Sequence, residues 1–95
     1  MVTHMVIFTW IAEVTAEQVQ GLQQALNQLA AEFSATATIS HGPDLGFRDV
    51  NGDYALVATF PDRAGWDAYQ ADPRHKALVR DFVLPIQAAR LTAQF

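Results

Sequence analysis

The chain has 95 residues, of which 51% are hydrophobic and 17% charged, and its formal net charge is −4. This length predicts one domain over residues 1–95, the apolar content excludes a disordered chain, and the lack of cysteine excludes disulfides and thiolate metal ligands. The surplus of acidic residues argues against binding to nucleic acid or to an anionic membrane surface. The chain has no apolar run long enough to span a membrane and no basic-then-apolar leader, so we expect a cytoplasmic protein.

The first segment, Val2–Ile11, has the two-residue alternation of a β-strand. One face carries Val2, His4, Val6, Phe8 and Trp10, and the other carries Thr3, Met5, Ile7, Thr9 and Ile11. Because both faces are largely apolar, we expect a central strand that is covered on both sides.

A helix and two strands are predicted next. The range Thr15–Phe33 predicts an amphipathic helix, because apolar residues recur at helical spacing and its first residues, Thr15-Ala16-Glu17-Gln18, fit a capping box. The β-prone segment Thr36–His41 predicts a second strand. A turn-rich loop then leads to a third strand at Tyr54–Phe60, which a proline ends.

Two helical segments separated by a proline are predicted before the last strand. Asp62 caps the first segment, which carries Trp66 and Tyr69 on one face. The pair Asp72-Pro73 ends that segment and starts the next, with the aspartate as N-cap and the proline in the first helical position. The range Ile86–Phe95 completes the chain as a fourth strand.

The resulting order, β-α-β-β-α-β, predicts an α+β, ferredoxin-like protomer whose antiparallel sheet carries both helices on one face. The other face would expose apolar side chains in a monomer, since the first strand is apolar on both faces and the third is apolar almost throughout. We therefore expect a homodimer in which two sheets pack face to face as an eight-stranded α/β barrel.

Among the three histidines, His75 is the strongest candidate for chemistry. With Asp72 as N-cap it occupies the third helical position, where the positive end of the helix dipole disfavours the imidazolium ring. A neutral imidazole suits a general base, and Tyr69 could donate a hydrogen bond to a substrate carbonyl. The alternative is that His75 is solvated and that Tyr69 is a packing aromatic residue.

The other polar candidates are less specific. His4 lies among apolar residues of the first strand, so it is either a core or interface residue or a polar contact in an apolar pocket, and His41 is assigned no role. Arg74, Lys76 and Arg80 either attract an acidic ligand or form a solvated helix face. No histidine pair has zinc-ligand spacing and no phosphate loop is present, so neither a metal nor a cofactor is expected.

Three segments of the chain carry a family pattern. They are the strand segments His4–Phe8 and Tyr54–Phe60 and the segment Tyr69–His75, which reads Tyr-x-x-x-Pro-x-His. Together they resemble the stress-responsive dimeric α/β-barrel (Dabb) family over essentially the whole chain. The resemblance implies a ferredoxin-like protomer and a homodimeric barrel.

The family includes a plant polyketide cyclase, olivetolic acid cyclase, which closes a linear polyketide by aldol condensation. By motif, the catalytic histidine of that enzyme corresponds to His75 and its substrate-orienting tyrosine to Tyr69. His4 matches an early-strand histidine of the family. Tyr54 falls where the cyclase has a pocket histidine, which changes the polarity of the pocket, so the substrate of the cyclase does not carry over. Asp72 replaces a common family histidine but keeps the N-cap role.

Three functions are compatible with this sequence. The first is the binding of a small apolar or aromatic, polyketide-like acid in a barrel pocket. The residues expected to contact that ligand are His4, Phe8, Trp10 and Tyr54. The second is a cofactor-independent cyclase or isomerase, in which His75 is the general base and Tyr69 a hydrogen-bond donor. The third is a structural interaction domain, whose barrel would be filled by inward-pointing aromatic residues such as Phe8, Trp10 and Phe60.

Overall fold

The computed structural model describes all 95 residues, Met1–Phe95. The predicted order β-α-β-β-α-β is present, with the second helical region divided into two helices. The elements are β1 Val2–Trp10, α1 Ala16–Glu32, β2 Thr38–Pro43, β3 Tyr54–Phe60, α2 Arg63–Ala71, α3 Pro73–Leu78 and β4 Gln87–Gln94. A π-helical turn, Val79–Val83, continues α3. None of the helices has the length and apolar character needed to cross a bilayer.

The four strands form one antiparallel sheet in the order β2-β3-β1-β4. Strand β1 is therefore central, and β4 is an edge strand. Opposite His4 lie Ala58 on β3 and Gln94 on β4. This arrangement confirms the predicted ferredoxin-like fold and brings the last residues of the chain beside the first.

Capping residues set the helix boundaries. The Thr15 hydroxyl accepts from the Gln18 N–H at 3.2 Å, and the Gln18 side chain accepts from the Thr15 N–H at 2.9 Å, which completes the capping box before α1. Asp72 is extended, accepts from the Arg74 N–H at 2.8 Å and is followed by Pro73 in the first position of α3. The predicted break between the two helices is therefore present, and it fixes the position of the first turn of α3.

The second strand begins at Thr38, two residues after the predicted start at Thr36. The end of α1 explains this difference, because the N–H groups of Thr36 and Ala37 both donate to the Phe33 carbonyl, at 2.9 and 2.8 Å. These bonds hold the chain in a turn. Pairing with β3 begins only after it, with Thr38 opposite Thr59.

The hydrophobic core lies between the helices and one face of the sheet. On β1 the buried side chains are His4, Val6, Phe8 and Trp10. They share the core with three buried leucines of α1. Phe8, Trp10 and Phe60 all belong to this core, so they pack within one protomer. A barrel filled by these aromatic residues would require them to point into the space between two sheets. They do not, because they point toward the helices of their own chain.

The opposite face of the sheet is apolar, and none of the helices packs on it. We call this surface the open face, formed by Met5, Ile7, Val57, Leu91 and Ala93, which are paired across β3, β1 and β4. Ile7 is 38% exposed and Leu91 is 77% exposed. Exposed apolar area of this kind is typical of an interaction surface.

The loop between β2 and β3 extends the open face. Asp53 fixes the end of this loop to β1, because its carboxylate accepts from the Trp10 N–H at 2.7 Å and its own N–H donates to the Phe8 carbonyl at 2.7 Å. The preceding Gly52 lies directly against Ile7. Three apolar side chains of the loop remain exposed, namely Leu45, Phe47 and Val50.

Candidate functional site

A cavity of about 300 Å³ lies between the helix-facing side of the sheet and helices α2 and α3. Apolar side chains from β1, α1, α3 and the π-helical turn form most of its wall. Its polar lining includes His4, Tyr69, Gln70, His75, Arg90 and Gln94. The cavity is thus formed within one chain, on the helix-covered side of the sheet and away from the open face.

Tyr69 and His75, which the sequence predicts as a pair, are brought together in this cavity. Their ring centroids are 4.4 Å apart, because the break at Asp72 turns the first residues of α3 back toward the end of α2. Tyr69 is only 2% exposed, and its ring lies 5.2 Å from those of Phe33 and Phe60. Packing therefore holds Tyr69 in place, and the His75 ring lies against it with the two ring planes tilted by 48°.

The environment of His75 favours the neutral imidazole. Burial lowers the pKa of His75, and the charges of His4 and Arg90 add to this effect, although the Gln70 backbone and the Asp72 carboxylate oppose it. Nδ1 is fully buried and makes no hydrogen bond of acceptable geometry. Because the residue lines the cavity, Nε2 is the ring nitrogen that can act on a bound molecule.

Tyr69 is a hydrogen-bond donor at neutral pH. Burial raises the pKa of its hydroxyl to about 12, so the phenol stays protonated throughout the physiological range. A neutral phenol beside a neutral imidazole supplies one donor and one acceptor to the same cavity.

His4 is a third polar group of the cavity and is only 6% exposed. The amide nitrogen of Gln94 lies 2.9 Å from Nδ1 of His4, and the His4 and Trp66 rings meet edge to face at a centroid distance of 6.0 Å. Burial lowers the pKa of His4, and the nearby Arg90 lowers it further. His4 is thus both a buried residue and a lining residue of the cavity, so the two roles that the sequence left open are compatible.

Arg90 gives the cavity its charge. It is the only charged residue among the 15 that line the cavity, and no aspartate or glutamate is among them. It takes part in none of the four ion pairs of the chain. The basic residues considered in the sequence lie elsewhere, since Arg74 pairs with Asp72 and Glu32, and Arg80 pairs with the residue after it.

The other predicted contact residues are divided between this cavity and the far end of the sheet. Phe8 lines the cavity, whereas Trp10 and Tyr54 do not. Trp10 stacks on Phe8 at 5.3 Å. Tyr54, 1% exposed, is placed with its hydroxyl 2.7 Å from Nδ1 of His41. These two residues shape the core behind the cavity, and His41 is the hydrogen-bond partner of Tyr54.

Sequence reasoning missed Arg90, Gln94 and the pocket role of Trp66. The signal for the first two is the alternation of β4, in which Arg90, Thr92 and Gln94 share the face opposite to Leu91. Polar residues on the helix-covered side of a sheet indicate a cavity, because a packed core would take apolar ones. Trp66 lines the cavity with a buried Nε1–H that has no partner in the chain.

The cavity is therefore an apolar chamber with a distinct polar pattern. It offers donors from Tyr69 and Arg90, and a basic nitrogen from His75. Nowhere in the chain do three or more histidine or carboxylate side chains converge as metal ligands do. The chemistry that these residues can supply is anion recognition and proton transfer.

The comparison with known families and curated proteins gives one match. Residues 2–95 match the protein family described as the stress responsive A/B barrel domain. No curated protein is significantly similar to the chain.

Solved structures share the fold. A dimeric ferredoxin-like protein of unknown function from Thermobifida fusca is 34% identical, over 99% of this chain and 88% of that chain, with a TM-score of 0.91. Another dimeric ferredoxin-like protein of unknown function, from Jannaschia sp., is 23% identical over 99% of this chain and 96% of that chain, with a TM-score of 0.79. The hydroxynitrile lyase from Passiflora edulis is 17% identical over 99% and 90% of the two chains, with a TM-score of 0.82. At these identities the last two show a common fold alone.

Proposed function

The chain belongs to the stress responsive A/B barrel domain family, as its resemblance predicted, and from this premise we propose that it is a homodimer whose protomers each bind a small carboxylic acid. The acid is apolar or aromatic, or polyketide-like, and its site is the cavity between the sheet and the helices.

One observation carries this proposal, which is the charge of the cavity. The chain as a whole has a net charge of −4, yet Arg90 is the only charged residue lining the cavity. A guanidinium without a protein partner, set beside apolar walls, favours a ligand with one carboxylate and an apolar body.

The size of the cavity limits the ligand. A volume of about 300 Å³ is at the lower end of the range of roughly 300–1,000 Å³ that is typical of small-molecule sites. An apolar cavity of about 150 Å³ is enough to bind benzene. The site therefore fits one aromatic ring with short substituents, or a short chain of similar volume.

The homodimer is supported by the open face. Ile7 and Leu91 lie side by side on β1 and β4, and a monomer would leave both in water. Two of the similar solved structures are described as dimeric. A second copy packed on this face would bury its apolar area and leave the cavity, on the other side of the sheet, open to ligand.

The binding proposal is tested with matched acids and amides. Isothermal titration of the protein with benzoate and 4-acetylbenzoate, and with the corresponding amides, compares ligands of similar shape that differ in charge. Quenching of tryptophan fluorescence gives a second readout, since Trp66 lines the cavity. We expect the acids to bind at least about tenfold more tightly than the amides, a difference of about 1.4 kcal/mol. Equal affinities, or no binding of any of the four, would show that the cavity is not an acid site.

A second candidate function is proton transfer, and the contact between His75 and Tyr69 favours it. In the proposed step, Nε2 of His75 removes a proton from the carbon next to a carbonyl group of the ligand. The C–H bond breaks, its electron pair forms an enolate, and the Tyr69 hydroxyl donates a hydrogen bond to the developing oxyanion. The step moves one proton and changes no oxidation state, so it suits a cyclase, a lyase or an isomerase.

The proton-transfer candidate is tested by exchange with solvent deuterium. An aryl 1,3-diketone that bears a carboxylate is incubated in D₂O, and loss of the α-proton signal is followed by NMR after subtraction of buffer catalysis. We expect His75→Gln to abolish the protein-dependent rate and Tyr69→Phe to reduce it, whereas His41→Gln, outside the cavity, retains it. A His75→Gln protein as fast as wild type would remove His75 as the base while leaving acid binding untouched.

A further inference from the structure

The hydrogen bond between His4 and Gln94 has a consequence for ligand selection. We propose that Gln94 is a positioning residue that holds His4 as a neutral Nε2–H donor directed at the cavity, so that the site selects acids with a second acceptor oxygen. The selection of ligands rests on the proposed function, whereas the state of the His4 ring does not.

The backbone holds Gln94 firmly although it is the penultimate residue. His4 and Gln94 are directly opposite in the antiparallel pairing of β1 and β4. Beside them, the Thr3 N–H donates to the Phe95 carbonyl at 2.7 Å, and the Phe95 N–H donates to the Thr3 carbonyl at 2.9 Å. The last residues of the chain are thus tied to β1 next to this side-chain pair.

The chemistry of the amide decides the tautomer. The Gln94 atom at 2.9 Å from His4 Nδ1 is the amide nitrogen, which can only donate. In this orientation of the amide Nδ1 accepts, and the single proton of the neutral ring is on Nε2. A protonated Nδ1 would instead require the Gln94 amide to rotate and present its oxygen.

Burial and the charge of Arg90 disfavour the charged form of His4. Arg90 approaches from β4 and His75 from α3, and Trp66 and Tyr69 line the same cavity from α2. No carboxylate is among the cavity residues. Burial and Arg90 therefore both lower the pKa of His4. The amide of Gln94 therefore acts together with its surroundings and not against them.

The consequence for ligand selection follows from the donors. Arg90 binds the carboxylate, and the donors on His4 and Tyr69 are left for another oxygen of the ligand. A keto or phenolic acid would satisfy both, whereas a plain aromatic acid would leave buried donors without partners, which is costly. The favoured class is therefore an aromatic or short-chain acid with a carbonyl or phenolic oxygen.

The ring state is tested first, in the absence of ligand. Histidine ring ¹⁵N shifts are measured over a pH titration for wild type, Gln94→Leu, Gln94→Glu and the control Gln28→Leu, which makes the same change at an exposed glutamine of α1 outside the cavity. We expect the Nε2–H tautomer of His4 in wild type and in the control. A carboxylate next to Nδ1 should raise the titration midpoint of His4 in Gln94→Glu by about 1 pH unit or more.

Ligand selection is tested next, with 4-acetylbenzoate and benzoate on the same proteins. We expect wild type and the control Gln28→Leu to prefer the keto acid, and Gln94→Leu to lose roughly threefold to tenfold of that preference, the contribution of one hydrogen bond. Melting curves establish that each variant is folded.

The outcomes separate this inference from the proposed function. An Nδ1–H tautomer in wild type, or a midpoint that does not move in Gln94→Glu, overturns the positioning role whether or not any acid binds. An unchanged preference in Gln94→Leu overturns the selection of ligands. If no acid binds the wild type while the ring behaves as expected, the proposed function fails and the positioning role of Gln94 stands.

Discussion

Replacing Arg90 with glutamine should weaken acid binding while leaving the fold intact. The change removes the only charge in the cavity and keeps a polar side chain of moderate length. Hydrogen bonds to charged groups contribute about 1.5–3 kcal/mol. Because Arg90 is exposed at the mouth of the cavity, solvent screening reduces this value. We expect a loss of about 1–2 kcal/mol, which corresponds to an increase in Kd of roughly fivefold to thirtyfold.

The assay for this prediction is isothermal titration of 4-acetylbenzoate in low and high salt. The control is Arg80→Gln, which makes the same change in net charge at a residue that pairs with Asp81 and lies outside the cavity. Salt should weaken binding to wild type and to the control by screening the Arg90 charge, and should have little effect on Arg90→Gln. If Arg90→Gln binds within twofold of wild type, or if Arg80→Gln weakens binding equally, the argument from local charge is wrong.

Three further predictions concern assembly and stability. Ile7→Asp places a charge in the open face, so its mass by light scattering should fall from that of a dimer toward the 10.5 kDa of one chain. Gly52→Ala adds a Cβ that collides with Ile7 and should lower the free energy of unfolding by about 1–3 kcal/mol, measured with urea. The stability should also fall as the pH drops below about 6.5, since burial lowers the pKa of all three histidines in the folded state and the unfolded chain then binds protons more readily. The decrease is at most about 1.4 kcal/mol per pH unit for each histidine, and urea unfolding at pH 7.5 and 5.5 measures it.

Matched controls make these outcomes decisive. Leu84→Asp also places a charge at an exposed leucine, in the turn between the π-helical residues and β4, and should leave the dimer mass unchanged. Gly42→Ala adds a Cβ with no atom within 4 Å, so its stability should stay close to that of wild type. His75→Gln should have a shallower dependence of stability on pH. A dimeric Ile7→Asp, a stable Gly52→Ala or an unchanged pH dependence would each contradict the corresponding argument.

The parts of the site that the sequence predicts are those set by local signals. Tyr69 and His75 are six positions apart, and the conformation between them is fixed by Asp72-Pro73, whose cap and helix-start preferences are visible without any long-range information. The same holds for the capping box at Thr15. Local geometry therefore places the candidate base beside its neighbour before any tertiary contact is considered.

The missed parts depend on pairing between distant strands. Arg90 and Gln94 reach the cavity only because β4 pairs with β1 in a particular register. The predicted contacts separate for a different reason, which is the length of β1: the six positions from His4 to Trp10 span about 20 Å. Tyr54 pairs with Phe8 near the far end of β1 and is therefore remote from His4. A period-two pattern shows which residues share a face but not which face the helices cover.

The alternation of β4 links the two main features of the molecule. Its outward residue Leu91 contributes to the open face, and its inward residues Arg90 and Gln94 line the cavity. If the inward positions were large and apolar, the helices would pack on them and the cavity would be filled. If the outward position were charged, the open face would resist a partner. One edge strand of alternating character thus supplies both the apolar surface for a second copy and the charged lining for a ligand, which explains how a chain with so few charged residues has a polar site at all.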